Sequence, residues 1–225
     1  MSEPLHNILA IDTATMNLRL ALKFGGDRLV KSETPMEKSH GQMLMKKIDD
    51  LFGSAGLSGP DLQAIVVSLG PGSFTGLRIG LAAAKGMAVA LDIPIVGVHL
   101  LELAAHKLAG ETEPIILLLP HRRDEIFAAV VQDGVCDIDK VRSLAPTDVS
   151  AFVKGRSVRL VGVKPSILPG QGGNGSAVQA FEYDAADLLQ FGLTRLESGR
   201  ADDISDLEPL YLRKSMAEIR FEQRR

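Results

Sequence analysis

The sequence predicts an α/β protein built twice over: two lobes, each a mixed five-stranded sheet flanked by helices. Two observations predict it. Each half of the chain reads in the same order, strand, hairpin, strand, helix, strand, helix, as apolar spacing switches between alternation and helical period. The first half also pivots on one stretch, residues 64–91, which opens as a β-branched strand (Ile65-Val66-Val67). It then passes through Gly70-Pro71-Gly72-Ser73-Phe74-Thr75-Gly76 and continues as a small-residue helix. A chain of 225 residues is long enough for one large or two small cores. The expected lobes are residues 1–102, completed by 208–225, and residues 103–207.

In the first half, residues 8–11 are an apolar run that ends at Asp12-Thr13-Ala14-Thr15, a turn rich in side-chain oxygen. Leu18, Leu20, Leu22 and Phe24 alternate with Arg19, Ala21 and Lys23, the signature of a half-buried strand. Gly25-Gly26-Asp27 reverses the chain and residues 28–34 return as a third strand. Ser39 opens a helix, with Gln42 three residues on completing a capping-box pattern. Leu44, Ile48, Leu51 and Phe52 form its apolar stripe and residues 53–60 its exit loop. After the pivotal stretch, residues 93–98 read as a strand and 99–108 as a helix.

The second half repeats the order. Residues 115–119 are a buried strand, 120–124 a polar turn and 125–132 a second strand. Asp133-Gly134 makes a hairpin into a third strand at 135–144, followed by a short helix at 147–154 and a strand at 158–163. Residues 169–175 are a glycine-rich loop, read as surface. Asp184 caps a helix that runs to Glu197 and stops at Gly199. Two such units describe the duplicated RNase-H-like architecture of actin, sugar kinases and heat-shock ATPases. In that architecture the turn after each lobe's first strand carries a phosphate-contacting aspartate or hydroxyl. Asp12-Thr13 fits the role in the first lobe; Pro120-His121-Arg122-Arg123 offers no match in the second, so half of a nucleotide clamp is missing.

The loop at 70–76 lacks the Gly-Lys-Ser/Thr ending of a Walker loop and is not a dinucleotide fingerprint. Ser73 or Thr75 can cap the following helix, and glycine-loop amides can also meet an anion. The candidate anion site is Asp12, Thr13, Gly72, Ser73, Thr75 and Arg78. Arg78 stands in the helix's first turn, where the dipole disfavours a cation, so it calls for a carboxylate or an anion. Gly76, Gly80, Ala84 and Ala88 recur every four residues and form one stripe without bulk. Each helical glycine costs about 1 kcal/mol relative to alanine. Spacing alone fits two explanations, close packing on the protein's own sheet and a helix–helix interface with a partner.

Composition excludes several classes. A net charge of −3 with 45% hydrophobic residues lacks the basic excess of an autonomous nucleic-acid binder. The single Cys136 forbids an internal disulfide and suits a reducing compartment, here the cytoplasm. No Cys/His cluster has zinc spacing, and no secretory leader is read at the N-terminus. The longest apolar run, 77–91, is interrupted by Lys85 and is read as too short and polar to span a bilayer. Asp49-Asp50, Glu102 and Asp202-Asp203 form no pairing suited to acid–base work, and Ser73 has no His/Asp relay, so no catalytic residue is assigned.

Ile11-Asp12-Thr13-Ala14-Thr15, His40, the string from Gly70 to Gly80, Ala84-Lys85-Gly86 and Leu210-Tyr211-Leu212-Arg213 together resemble the bacterial TsaB (YeaZ) family. The resemblance implies a non-catalytic subunit of the machinery that installs threonylcarbamoyl on adenosine 37 of tRNA. It implies three associations: a metal-holding catalytic paralogue, TsaD; an ATPase, TsaE; and a homodimer when alone. Contact with tRNA is indirect, no membrane is involved, no cofactor is tightly held, and ATP or ADP enters only in the assembled complex. The implied partner face comprises His40, Leu44, Lys47, Gly76, Gly80, Ala83, Ala84, Met87 and Ala88.

In the paralogue's family the metal histidines follow a strand-ending Gly-Val at fixed spacing. Gly97-Val98 is that landmark here, and the corresponding positions are Leu100 and Ala104, neither a ligand. His99 and His106 are seven apart, read as one helical face and too distant for an i, i+4 clasp. Two departures stand out: Gly41-Gln42 where the family shows Ser-Glu after His40, and Pro120-His121 where it shows Asp-Ala. The competing class is a small ATP-dependent phosphotransferase, which needs a second phosphate turn and a catalytic carboxylate. The mildly basic tail beyond Arg213 reads as a solvated helix.

Overall fold

The computed structural model describes residues 5–35, 40–110, 113–122, 125–154, 159–162 and 179–211. The chain divides into two compact units, the first made of residues up to His99 together with Tyr183–Leu210, the second of Leu100–Glu182 together with Tyr211, which the expected boundaries had placed in the first lobe.

The first unit is a five-stranded sheet of β1 (Ile8–Asp12), β2 (Asn17–Phe24), β3 (Arg28–Pro35), β4 (Ala64–Gly70) and β5 (Ile95–His99), in the order β3-β2-β1-β4-β5. β1 runs antiparallel to β2 and parallel to β4, and β4 is parallel to β5. Every residue of β1 and β4 is buried, as central strands covered on both faces require. Alternation then sorts side chains between the two faces. Leu9, Ile11, Ile65 and Val67 join Leu20 and Leu22 in one core with Leu44, Ile48 and Phe52 of α1 (His40–Ala55) and Leu81, Ala84 and Ala88 of α2 (Phe74–Leu91). Val66 faces the other way, where a Cβ on Gly192 would strike it.

Gly192 belongs to α5, the helix Ala185–Glu197, which corrects the expected lobe boundaries. Sequence order had put this helix in the second lobe; it packs on the first sheet. Leu188, Leu189 and Leu193 supply its buried face and Gly192 its close approach. The same returning segment closes the free edge of β5. Gly97 N–H donates to Asp202 Oδ2 (2.8 Å), Gly97 O accepts from Arg195 Nη1 (2.9 Å), and Asp202 N–H donates to Ile95 O (2.9 Å). The edge strand's exposed ladder is thereby met by two side chains and one main-chain amide where a sixth strand would lie. Of the expected completing segment 208–225, Leu210 N–H bonds Leu69 O at 2.8 Å, while residues 212–225 lie outside the described residues.

The second unit begins with α3 (Leu100–Lys107). Its sheet contains β6 (Ile115–Arg122), β7 (Glu125–Gln132), β8 (Val135–Cys136), β9 (Arg142–Leu144), β10 (Arg159–Gly162) and β11 (Gln179–Ala180). The order is β11-β10-β6-β7-β8, with β9 also pairing β7, six strands where five were expected. The single strand expected at 135–144 is two short ones. Ile138–Lys140 forms a 3-10 turn between them, tied by a Lys140–Asp137 ion pair of 2.7 Å. Ile116, Leu118, Ile126, Ala128 and Leu160 form its core with Val149 and Val153 of α4 (Val149–Val153). The glycine-rich loop 169–175, Ser39 and the Arg123-Asp124 turn fall outside the described residues.

Candidate functional site

The turn after β1 packs closely against the start of α2 in the first unit. Asp12 and Thr13 are buried polar residues, with Ser68 alongside on β4. The Asp12 carboxylate accepts from Ala14 N–H (2.9 Å) through Oδ1 and from Tyr183 Oη–H (3.0 Å) through Oδ2, with Arg19 Nη1 at 3.4 Å from the same oxygen. Burial pushes its carboxyl above the ordinary value. The Ala14 amide, Arg19, Tyr183 and Ser68 pull the other way without cancelling the shift. Arg19 also donates through Nε to Glu33 (3.0 Å) and through Nη1 to Thr15 Oγ1 (3.0 Å).

Gly72, Gly76 and Gly80 leave room for this turn. A Cβ on Gly72 would strike Ala14 O, one on Gly76 would strike Thr13 O, and one on Gly80 would strike Thr13 Oγ1. Ser73 N–H donates to Ala14 O (2.7 Å), and Ser73 Oγ caps the helix by accepting from Gly76 N–H (3.2 Å). Ser73, and not Thr75, is therefore the cap. The six residues of the expected anion site do not converge: Gly72 and Ser73 close against Ala14, next to the buried Asp12 and Thr13, whereas Thr75 and Arg78 are exposed on the helix's outer side. The guanidinium of Arg78 stacks on Phe74, 4.1 Å from the ring centroid.

The small-residue stripe is likewise turned inward. Gly76, Gly80, Ala84 and Ala88 are buried, the first two under the Thr13 turn and the last two in the core shared with α1. Leu44 is buried in that core, and Ala83 and Met87 pack against it half-buried. The expected partner face is thus corrected at Leu44, Gly76, Gly80, Ala84 and Ala88, which the chain's own residues cover. Lys47 is half-buried, and the side chain of His40 lies outside the described residues.

The outward side of α2 carries what sequence reasoning missed. Phe74 (37% exposed), Arg78, Ala82, Gly86 and Val89 (67%) follow one another at helical spacing on the surface, with Met45 of α1 also exposed. The missed signal was that residues 77–91 hold only two charged side chains, Arg78 and Lys85, and more apolar positions than one buried face requires. By length and composition alone α2 could cross a membrane, yet its glycine and alanine stripe is seated in a protein core.

No group of three or more His, Cys, Asp or Glu able to hold a metal occurs among the described residues. Leu100 and Ala104 are both buried in α3. His99 is the last residue of β5 and His106 lies in α3, so the two do not share one helical face as expected. Asp203 caps its own turn, accepting from Ser205 N–H (2.8 Å). The half-buried Cys136 thiol is pushed up to about 11, first by burial and then by Asp137 and Glu102, which leaves it unreactive near neutrality.

Comparison with known proteins follows the same lines. The family model for TsaD, tRNA N6-adenosine threonylcarbamoyltransferase, matches residues 34–153. The chain is 27% identical to the tRNA threonylcarbamoyladenosine biosynthesis protein TsaB of Escherichia coli, over 93% of this chain and 96% of that one. It is 35% identical to TsaB of Bacillus subtilis over 56% and 55% of the two chains. Among solved structures, YeaZ from Pseudomonas aeruginosa superposes with a TM-score of 0.70 at 26% identity, covering 92% of this chain and 100% of that one.

Proposed function

The chain belongs to the TsaD (tRNA N6-adenosine threonylcarbamoyltransferase) family, among its TsaB/YeaZ members, and we propose that it is a non-catalytic subunit required for making threonylcarbamoyladenosine in tRNA. In this reading it docks the metal-holding paralogue TsaD and works with the ATPase TsaE in the cytoplasm. It pairs with itself when the paralogue is absent. It meets tRNA only through the complex, and it holds no nucleotide tightly outside it.

One observation carries the proposal: α2 presents Phe74, Ala82 and Val89 outward from a helix whose inner stripe is already occupied by the chain itself. An apolar face left over after a core is complete is what a docking partner covers. The non-catalytic assignment is supported by buried Leu100 and Ala104 at the positions of the paralogue's metal histidines. It is also supported by Asp12, whose carboxylate is engaged with Tyr183 and Arg19. A self-pairing contact through the same face follows from the pseudo-symmetry of two related chains.

The test is reconstitution of tRNA modification from this chain, the paralogue and TsaE, leaving out each in turn. The expected result is no threonylcarbamoyladenosine without this chain, and none from this chain alone. Modification at the full rate in its absence overturns the proposal.

A further inference from the structure

We infer that Tyr183 is a clasp: its hydroxyl fastens the chain re-entering the first unit to the end of β1, with the Asp12 carboxylate as the anchor. This stands apart from the docking proposal and does not depend on it. Tyr183 is the first residue of the returning segment. Its Oη donates to Asp12 Oδ2 at 3.0 Å and accepts from Arg19 Nη1 at 3.1 Å, and the Arg19 guanidinium lies 4.8 Å from its ring centroid. The following residue repeats the fastening one strand further out, because Asp184 pairs with Lys31 Nζ at 2.7 Å while capping α5. Consecutive side chains thus reach β1 and β2, then β3, and seat the helix whose Arg195 and trailing Asp202 close the far edge of the sheet.

The charges facing the phenol are Asp12 from β1 and Arg19 from β2, with Glu33 of β3 behind the arginine and the Ser68 hydroxyl on β4 beside the carboxylate. The clasp needs the phenolic proton. Without it, two anions would face each other across about 3 Å in a buried site. Burial, and then Asp12, accordingly hold Tyr183 well above the ordinary tyrosine range. The folded value is raised, so this contribution to stability is complete below the unfolded phenol's value of about 10 and is lost as pH rises beyond it.

The chain has two tyrosines and no tryptophan, so Tyr211→Phe leaves Tyr183 as its single phenol. The expected result in that variant is phenolate absorbance that appears only together with loss of far-ultraviolet circular dichroism. In parallel, Tyr183→Phe lowers the melting temperature by several degrees at neutral pH, and the gap to the parent shrinks steadily once the pH passes about 10. Phenolate appearing while the chain is still folded overturns the inference, as does a melting gap that is the same at neutral and alkaline pH. Adding Asp12→Asn to the Tyr211→Phe chain removes the facing anion and is expected to bring phenolate formation to lower pH; an unmoved titration counts against the anchor.

Discussion

The two sides of α2 both carry small and apolar residues and do opposite things. The inner side uses Gly76 and Gly80 to admit the Thr13 turn and Ala84 and Ala88 to complete a core, so its smallness is consumed within the chain. The outer side carries Phe74, Ala82, Gly86 and Val89 around Thr75 and the Phe74-stacked Arg78, and it stays exposed among the described residues. A stripe of small residues records that something comes close, without recording whether that something is covalently connected. Exposure distinguishes the two cases, and exposure is a property of the fold.

The comparison breaks first at the inner side. Gly80→Leu drives a branched side chain into the buried Thr13 hydroxyl and is expected to cost about 3 kcal/mol or more, measured by denaturant unfolding. A stable Gly80→Leu chain would mean that the stripe is open. On the outer side, Val89→Asp is expected to change stability by no more than about 0.5 kcal/mol. It is expected to weaken binding to the paralogue about tenfold or more, read by calorimetry.

Smaller effects sharpen the picture away from α2. Asp184→Ala removes an N-cap that accepts from Ala186 and Asp187 amides, and is expected to cost about 1 kcal/mol. Burial alone would raise the Asp184 carboxyl, but Lys31 and the capped amides outweigh it and hold the value below the ordinary one. Its contribution is therefore present above about 3.9 and fades as pH falls through the lower folded value. The parent and Asp184→Ala melting curves should converge in acid. Ser73→Ala removes a single amide partner at the start of α2 and is expected to cost about 0.5 kcal/mol by thermal unfolding.

Much of the fold was legible because its signals are local. Alternation in residues 18–24 marks β2, the β-branched run at 65–67 marks β4, and Asp184 and Gly199 bracket α5. The duplicated order of elements was enough for the architecture. The placement of α5 was not legible, because a helix's partner sheet lies in long-range packing, here Gly192 against Val66 across more than a hundred residues. Residues 135–144 kept strand-like composition through Val135 and Val141, while Asp137 and Lys140 closed a turn that alternation does not reveal. The Asp12 turn was found by its oxygen-rich sequence, but its partner Tyr183 was not, since no local pattern links positions so far apart. Likewise the position of His99 at a strand end, and not on a helix, depended on a boundary one residue away.

The proposed docking face is the outer side of α2, not its buried stripe. A photo-activatable side chain placed at Val89 and, separately, at Ala84 tests it directly. Covalent capture of the paralogue from position 89, with none from position 84, is the predicted result. Capture from position 84 in a folded chain, or failure of position 89 to capture while the complex still forms, would contradict it.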